Sequence, residues 1–90
     1  MRKQIHVYYS GKVQGVGFRF TAHAIARKHG VAGWVKNLDD ARVEIKAEAE
    51  EEILKRFLED LNQYFFRNIT GNEVSWSPAT EECKEFNIAF

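Results

Sequence analysis

The stretch GKVQGVGFRF, Gly11 to Phe20, carries three of the chain's six glycines and places Arg19 directly behind them. Backbone N–H groups hold an anion when several converge. Glycine supplies the φ values this requires and lets a ligand approach the backbone closely. A helix that begins right after the loop adds the positive end of its dipole. The planar fork of an arginine matches two phosphate oxygens at once. Phosphate binding is thus one reading of the stretch. A tight turn beside a surface arginine is the other, and the residues alone leave both open. No Gly-Lys-Ser/Thr follows, so it is not a P-loop. Ninety residues also leave no room for a dinucleotide-binding crossover with its acidic ribose ligand.

Other reactive side chains are scattered. His6 falls on a strand pattern, and His23 and His29 on a helix pattern, with no Asp, Glu or Cys at a ligand spacing. His23 reads as a surface residue and His29 as packing at a helix end. Ser10 and Thr21 flank the loop, where capping or turn roles are the common ones. Cys83 is a lone thiol with only Lys84 as a basic neighbour, which leaves it inert.

These residues need elements to position them. Ile5, Val7 and Tyr9 alternate with polar neighbours, a strand leading into the glycine loop. Phe18, Ala22, Ile25 and Ala26 have helical spacing, and Gly30 stops that helix. VAGWVKNL (31–38) and ARVEIKAE (41–48) read as a hairpin joined at Asp39–Asp40, with Ala41 where glycine would be usual. EAEEEILKRFLEDLNQYFF is the clearest helix, its apolar stripe running Ile53, Leu54, Phe57, Leu58, Leu61, Tyr64. Glu48, Glu50, Glu51 and Glu52 read as its solvated start, where carboxylates suit the helix dipole. NEVSWSP (72–78) and EFNIAF (85–90) are the remaining strands, the latter with Phe86, Ile88 and Phe90 turned inward. The order β-α-β-β-α-β, with one further short strand, predicts an α+β, ferredoxin-like split-βαβ sandwich. Its sheet is mostly antiparallel with four to five strands, and both helices lie on one face.

Composition narrows the class. Ninety residues, 44% hydrophobic and 29% charged, make one domain over 1–90. A formal net charge of zero creates no global field for nucleic acid or anionic membrane. A single cysteine excludes an internal disulfide, no Cys/His cluster has zinc spacing, and no segment reaches membrane-spanning length. With no leader-like apolar run, the expectation is a soluble protein of a reducing compartment, most simply the cytoplasm.

The long motif Gly11-Lys12-Val13-Gln14-Gly15-Val16-Gly17-Phe18-Arg19, followed by Gly33-Trp34-Val35-Lys36-Asn37, resembles the acylphosphatase family. The likeness is strong over about residues 5–60 and continues weakly to EFNIAF. It implies hydrolysis of carboxylic phosphoric anhydrides to carboxylate and inorganic phosphate, by a monomer, without metal or cofactor. It implies that the amides of Gln14, Gly15, Val16, Gly17 and Phe18, together with Arg19, hold the phosphoryl group. It further implies that Asn37 orients the attacking water. The chemistry suits so small a set, because the leaving carboxylate has a conjugate acid of pKa about 4.3 and departs without a general acid. What remains is positioning and electrostatics. Departures from the family pattern are Ala41 for glycine, Lys36 for arginine, His29 for leucine, and the segment 62–76. Exposure of Phe65 or Phe66 in that segment would create an apolar patch for self-association.

Two other classes fit less well. RNA-binding domains share this fold, but ARVEIKAE lacks their aromatic motif and the chain lacks a basic face. An acylphosphatase-like domain that only recognises phosphate or carbamoyl phosphate within a larger maturation protein is the alternative. A chain at domain length favours the free enzyme.

Overall fold

The computed structural model describes residues 1–90. Strand β1 (Arg2–Gly11) alternates as expected, with Ile5, Val7 and Tyr9 buried. The glycine loop leads into α1 (Phe18–His29), which ends at Gly30 in the left-handed conformation. Strands β2 (Ala32–Asn37) and β3 (Val43–Glu50) form the hairpin. Helix α2 (Glu51–Tyr64), β4 (Ile69–Pro78) and the short β5 (Phe86–Ile88) complete the chain. The sheet order is β4-β1-β3-β2-β5, antiparallel throughout except for the parallel β2–β5 pair. Two helices cover one face of a five-stranded sheet, which is the ferredoxin-like α+β sandwich expected from the element order. Neither helix is long and apolar enough to cross a membrane.

The core lies between that face and the helices. Sheet residues Val7, Val35 and Ile45 meet Phe18, Ala22 and Ala26 of α1 and Leu54, Phe57 and Leu61 of α2. Gly33 permits the hairpin's tight pairing: its φ is 142°, and a Cβ there would overlap the carbonyl of Lys46 in β3.

The structure corrects four expectations. Glu48 is not at a solvated helix start. Strand β3 runs on to Glu50, and Glu48 is only 2% exposed. Its carboxylate accepts hydrogen bonds from the Thr80 amide (2.7 Å), the Thr80 hydroxyl (2.9 Å) and the Glu81 amide (2.9 Å). Burial disfavours its charge, yet those donors outweigh burial and hold the carboxyl below its ordinary range. Glu48 thereby fastens the β4–β5 connection to the sheet. Phe90 does not turn inward. Pairing of β5 with β2 stops at Ile88, and Phe90 is fully exposed. Tyr64 leaves the α2 stripe and is 67% exposed, while Phe65, beyond the helix, turns in and is buried. The β2–β3 turn is wider than two residues. It closes through Leu38 N–H to the Arg42 carbonyl at 2.8 Å, and Ala41 occupies its left-handed position at φ 75°. A three-residue hairpin loop requires that conformation. His29 does pack at the end of α1, and it also pairs with Asp60 of α2 at 2.6 Å. That contact holds the Asp60 carboxyl below its usual range.

Candidate active site

The loop between β1 and α1 is shaped by Gly15 (φ 76°) and Gly17 (φ 80°), both left-handed. A Cβ at either would meet nothing within 4 Å, so the demand is on backbone conformation and not on space. Gly17 caps α1 without any side-chain hydrogen bond, and no acidic residue occupies the first turn. The first intrahelical bond runs from Thr21 N–H to the Gly17 carbonyl. The N–H groups ahead of it, through Phe20, have no partner within the helix. Free amides, the positive end of the helix dipole and the absence of acidic neighbours make this terminus suited to an anion. The amide of Lys12 does not contribute, since it donates to the Asn68 carbonyl at 2.9 Å.

Packing holds the loop in place. Val13 is buried, Val16 packs against the core, and Phe18 is 1% exposed. The Phe18 ring stacks on Phe65 (centroids 4.5 Å apart) and meets Tyr9 at 5.2 Å. Tyr9 in turn donates its hydroxyl to Asn62 of α2, and burial pushes its pKa upward. Phe18 therefore anchors the loop.

Arg19 and Asn37 arrive from different elements. Arg19 is the second residue of α1, and Asn37 is the last of β2, paired with Val43 on the helix-covered side of the sheet. Both line one cavity of about 210 Å³ with Gly15, Gly17, Phe20 and Ile88. That is the liquid volume of about seven waters at roughly 30 Å³ each. Larger and shallower hollows lie along α2, but no loop amides or arginine converge there. Arg19 makes no ion pair, and its guanidinium stacks on the Phe90 ring at 5.1 Å. The Asn37 Oδ1 atom is buried and accepts no hydrogen bond from the protein.

Sequence reasoning missed one positioning contact. Gln14, expected only as a cradle amide, sends its side chain across to the hairpin. Its Nε2 donates to the Leu38 carbonyl (2.7 Å) and to the Arg42 carbonyl (2.9 Å). Those carbonyls flank the turn that follows Asn37, so Gln14 couples the glycine loop to the strand bearing the asparagine. Of the five cradle residues, Gly15, Gly17 and Phe18 line the cavity, while Gln14 and Val16 direct their side chains elsewhere. The three histidines stay apart from the cavity lining.

A glycine loop and helix start on an α+β sandwich, with an arginine and an asparagine lining the same cavity, make an arrangement suited to a small anion. Comparison with known proteins shows the family that carries it. The family model for acylphosphatase matches residues 5–88. An acylphosphatase of Bacillus velezensis is 46% identical over 88 residues, spanning 97% of this chain and 98% of the relative. One from Bacillus subtilis is 42% identical over 97% of each chain. The crystal structure of acylphosphatase from Bacillus subtilis superposes with a TM-score of 0.89 at 38% identity, covering 98% of this chain and 99% of that one. Full-length HypF, in a phosphate- and nucleotide-bound form, matches with a TM-score of 0.82 at 26% identity, over 12% of its own length. The chain belongs to the acylphosphatase family.

Proposed function

We infer that this protein hydrolyses acyl phosphates to a carboxylate and inorganic phosphate, using Arg19 and Asn37. The observation that carries the reading is the shared cavity, which joins an anion-suited helix start and Arg19 to the buried, unpartnered Oδ1 of Asn37. A buried acceptor without a donor costs about 1–3 kcal/mol, which a water donating to it recovers. The same amide offers an N–H donor, so Asn37 can fix a water's orientation without being a strong base.

In this reading the phosphoryl oxygens rest on the amides of Gln14, Gly15, Val16, Gly17 and Phe18 and on the guanidinium of Arg19. The water oxygen attacks phosphorus in line. The bond between phosphorus and the bridging oxygen breaks, and its electron pair leaves with the carboxylate. The water's proton passes to a phosphate oxygen and then to solvent. The arginine and amides stabilise charge that spreads over the equatorial oxygens. The residues ask for no metal or cofactor in any of these steps. Small-molecule acyl phosphates are then the partners, with inorganic phosphate as product. A monomer with no nucleic-acid or membrane partner, in a reducing cytoplasm, accords with the zero net charge and the free thiol of Cys83.

The HypF match supports a second reading, a phosphate-recognition domain with little free activity. Relatives matched along almost their whole length favour the hydrolase. Measuring kcat/KM for acetyl phosphate beside a phosphate monoester separates the cases. Turnover of acetyl phosphate with negligible monoester cleavage is the expected result. Binding without turnover would favour the recognition domain, and a preference for the monoester would overturn the mechanism.

A further inference from the structure

The cavity that accounts for the phosphoryl group leaves the acyl group unassigned. We propose that Phe20 and Phe90 form an acyl-binding rim that selects acyl phosphates with an apolar, aromatic acyl group. The proposal rests on the hydrolase reading above.

Its argument begins with direction. In-line displacement puts the leaving carboxylate on the side of phosphorus opposite the attacking water. With the water on Asn37, the acyl group points away from the end of β2 and out past the start of α1. The surface it meets there is apolar. Phe20, on the first turn of α1 and lining the cavity, is 75% exposed. Phe90, 99% exposed, offers its ring beside Arg19, whose guanidinium lies 5.1 Å from the ring centroid. Ile88 of β5, half-buried and two residues before Phe90, is part of the cavity wall.

Single exposed apolar residues need no explanation. Two phenylalanines flanking the cavity's one arginine are a different matter. Of the other large exposed apolar groups, Phe66, Tyr64 and Trp76 line different hollows, and Met1 and Val74 are not part of this cavity's lining. The cation–π contact with Phe90 uses none of Arg19's N–H groups as hydrogen-bond donors, so they remain for phosphate oxygens. A ring placed there has one face on Arg19 and the other open to an acyl group. Aromatic rings favour offset or edge contacts with one another, so an aromatic acyl group gains most from such a rim. The cavity's 210 Å³ suffices for the phosphoryl group and water and leaves a benzoyl-sized group on the rim.

The test compares kcat/KM for benzoyl phosphate and acetyl phosphate in the wild type, Phe20→Ser, Phe90→Ser and the double variant. Both side chains are exposed, so folding is checked simply by far-UV circular dichroism and a thermal melt. The expected result is a benzoyl-to-acetyl ratio that falls at least about fivefold in the double variant, chiefly through KM for benzoyl phosphate. A ratio unchanged within about twofold overturns the proposal, including the case where both rates fall together because Phe90 only orients Arg19. A wild-type protein inert towards both acyl phosphates would instead overturn the hydrolase reading itself.

Discussion

Gln14→Met removes the link between the glycine loop and the β2–β3 hairpin while keeping an unbranched side chain of similar length. The two hydrogen bonds lost, 2.7 Å to Leu38 and 2.9 Å to Arg42, are worth about 1 kcal/mol each. The variant is therefore expected to lose about 2 kcal/mol of stability, visible in urea denaturation with an unchanged slope. If the same energy holds the loop in register with Asn37, kcat/KM for acetyl phosphate falls by up to about 30-fold, at 1.36 kcal/mol per factor of ten. The assay is steady-state hydrolysis at 25 °C, below the melt of both proteins, repeated in an Asn37→Ala background. Coupling predicts that Gln14→Met costs several-fold less there, because the group it positions is already gone. Lost stability with turnover within twofold of wild type would refute the reasoning, as would a full and additive loss in the Asn37→Ala background.

Three further outcomes are expected. Ala41→Gly relieves a left-handed alanine at φ 75°, a strain of roughly 1–2 kcal/mol offset by glycine's looser unfolded chain. The net gain is about 0.5–1 kcal/mol, a rise in Tm of roughly 2–8 °C by calorimetry. Gly33→Ala forces a Cβ into the Lys46 carbonyl and is expected to cost more than about 2 kcal/mol in chemical denaturation. Glu48 has a folded pKa below its ordinary 4.5, so its stabilisation is full above that value and is lost as pH falls through the lower folded value. Urea midpoints from pH 6 to 3 are expected to drop more steeply for wild type than for Glu48→Gln.

The glycine loop was legible because its cues are local, and Arg19 and Asn37, which share one cavity, became candidates through the resemblance carried by the motifs around them. Glycine spacing, the arginine behind it, and the text around Asn37 are all read within a dozen residues. The hairpin's strained position was legible too, since an alanine stood where a turn of this kind wants glycine. What stayed hidden depends on distant partners. The side-chain role of Gln14 needs carbonyls 24 and 28 residues away. Glu48 was misread because a run of glutamates before an apolar stripe looks like a helix start. The alternation Val43, Ile45, Ala47, Ala49 was the signal that the strand continued. Phe90 kept the alternation of a strand, but β5 leaves β2 after the Val35–Ile88 pair, two residues before β2 itself ends at Asn37.

The central claim is that Arg19 and Asn37 together make the catalyst. Its most direct measurement is kcat/KM for acetyl phosphate in Arg19→Ala and Asn37→Ala, each compared with wild type at matched folding by circular dichroism. Loss of a donor aimed at developing charge typically costs about 100- to 1,000-fold. Both variants are expected to fall at least about 100-fold while their Tm stays within a few degrees of wild type. Near-normal turnover in either one would contradict the account.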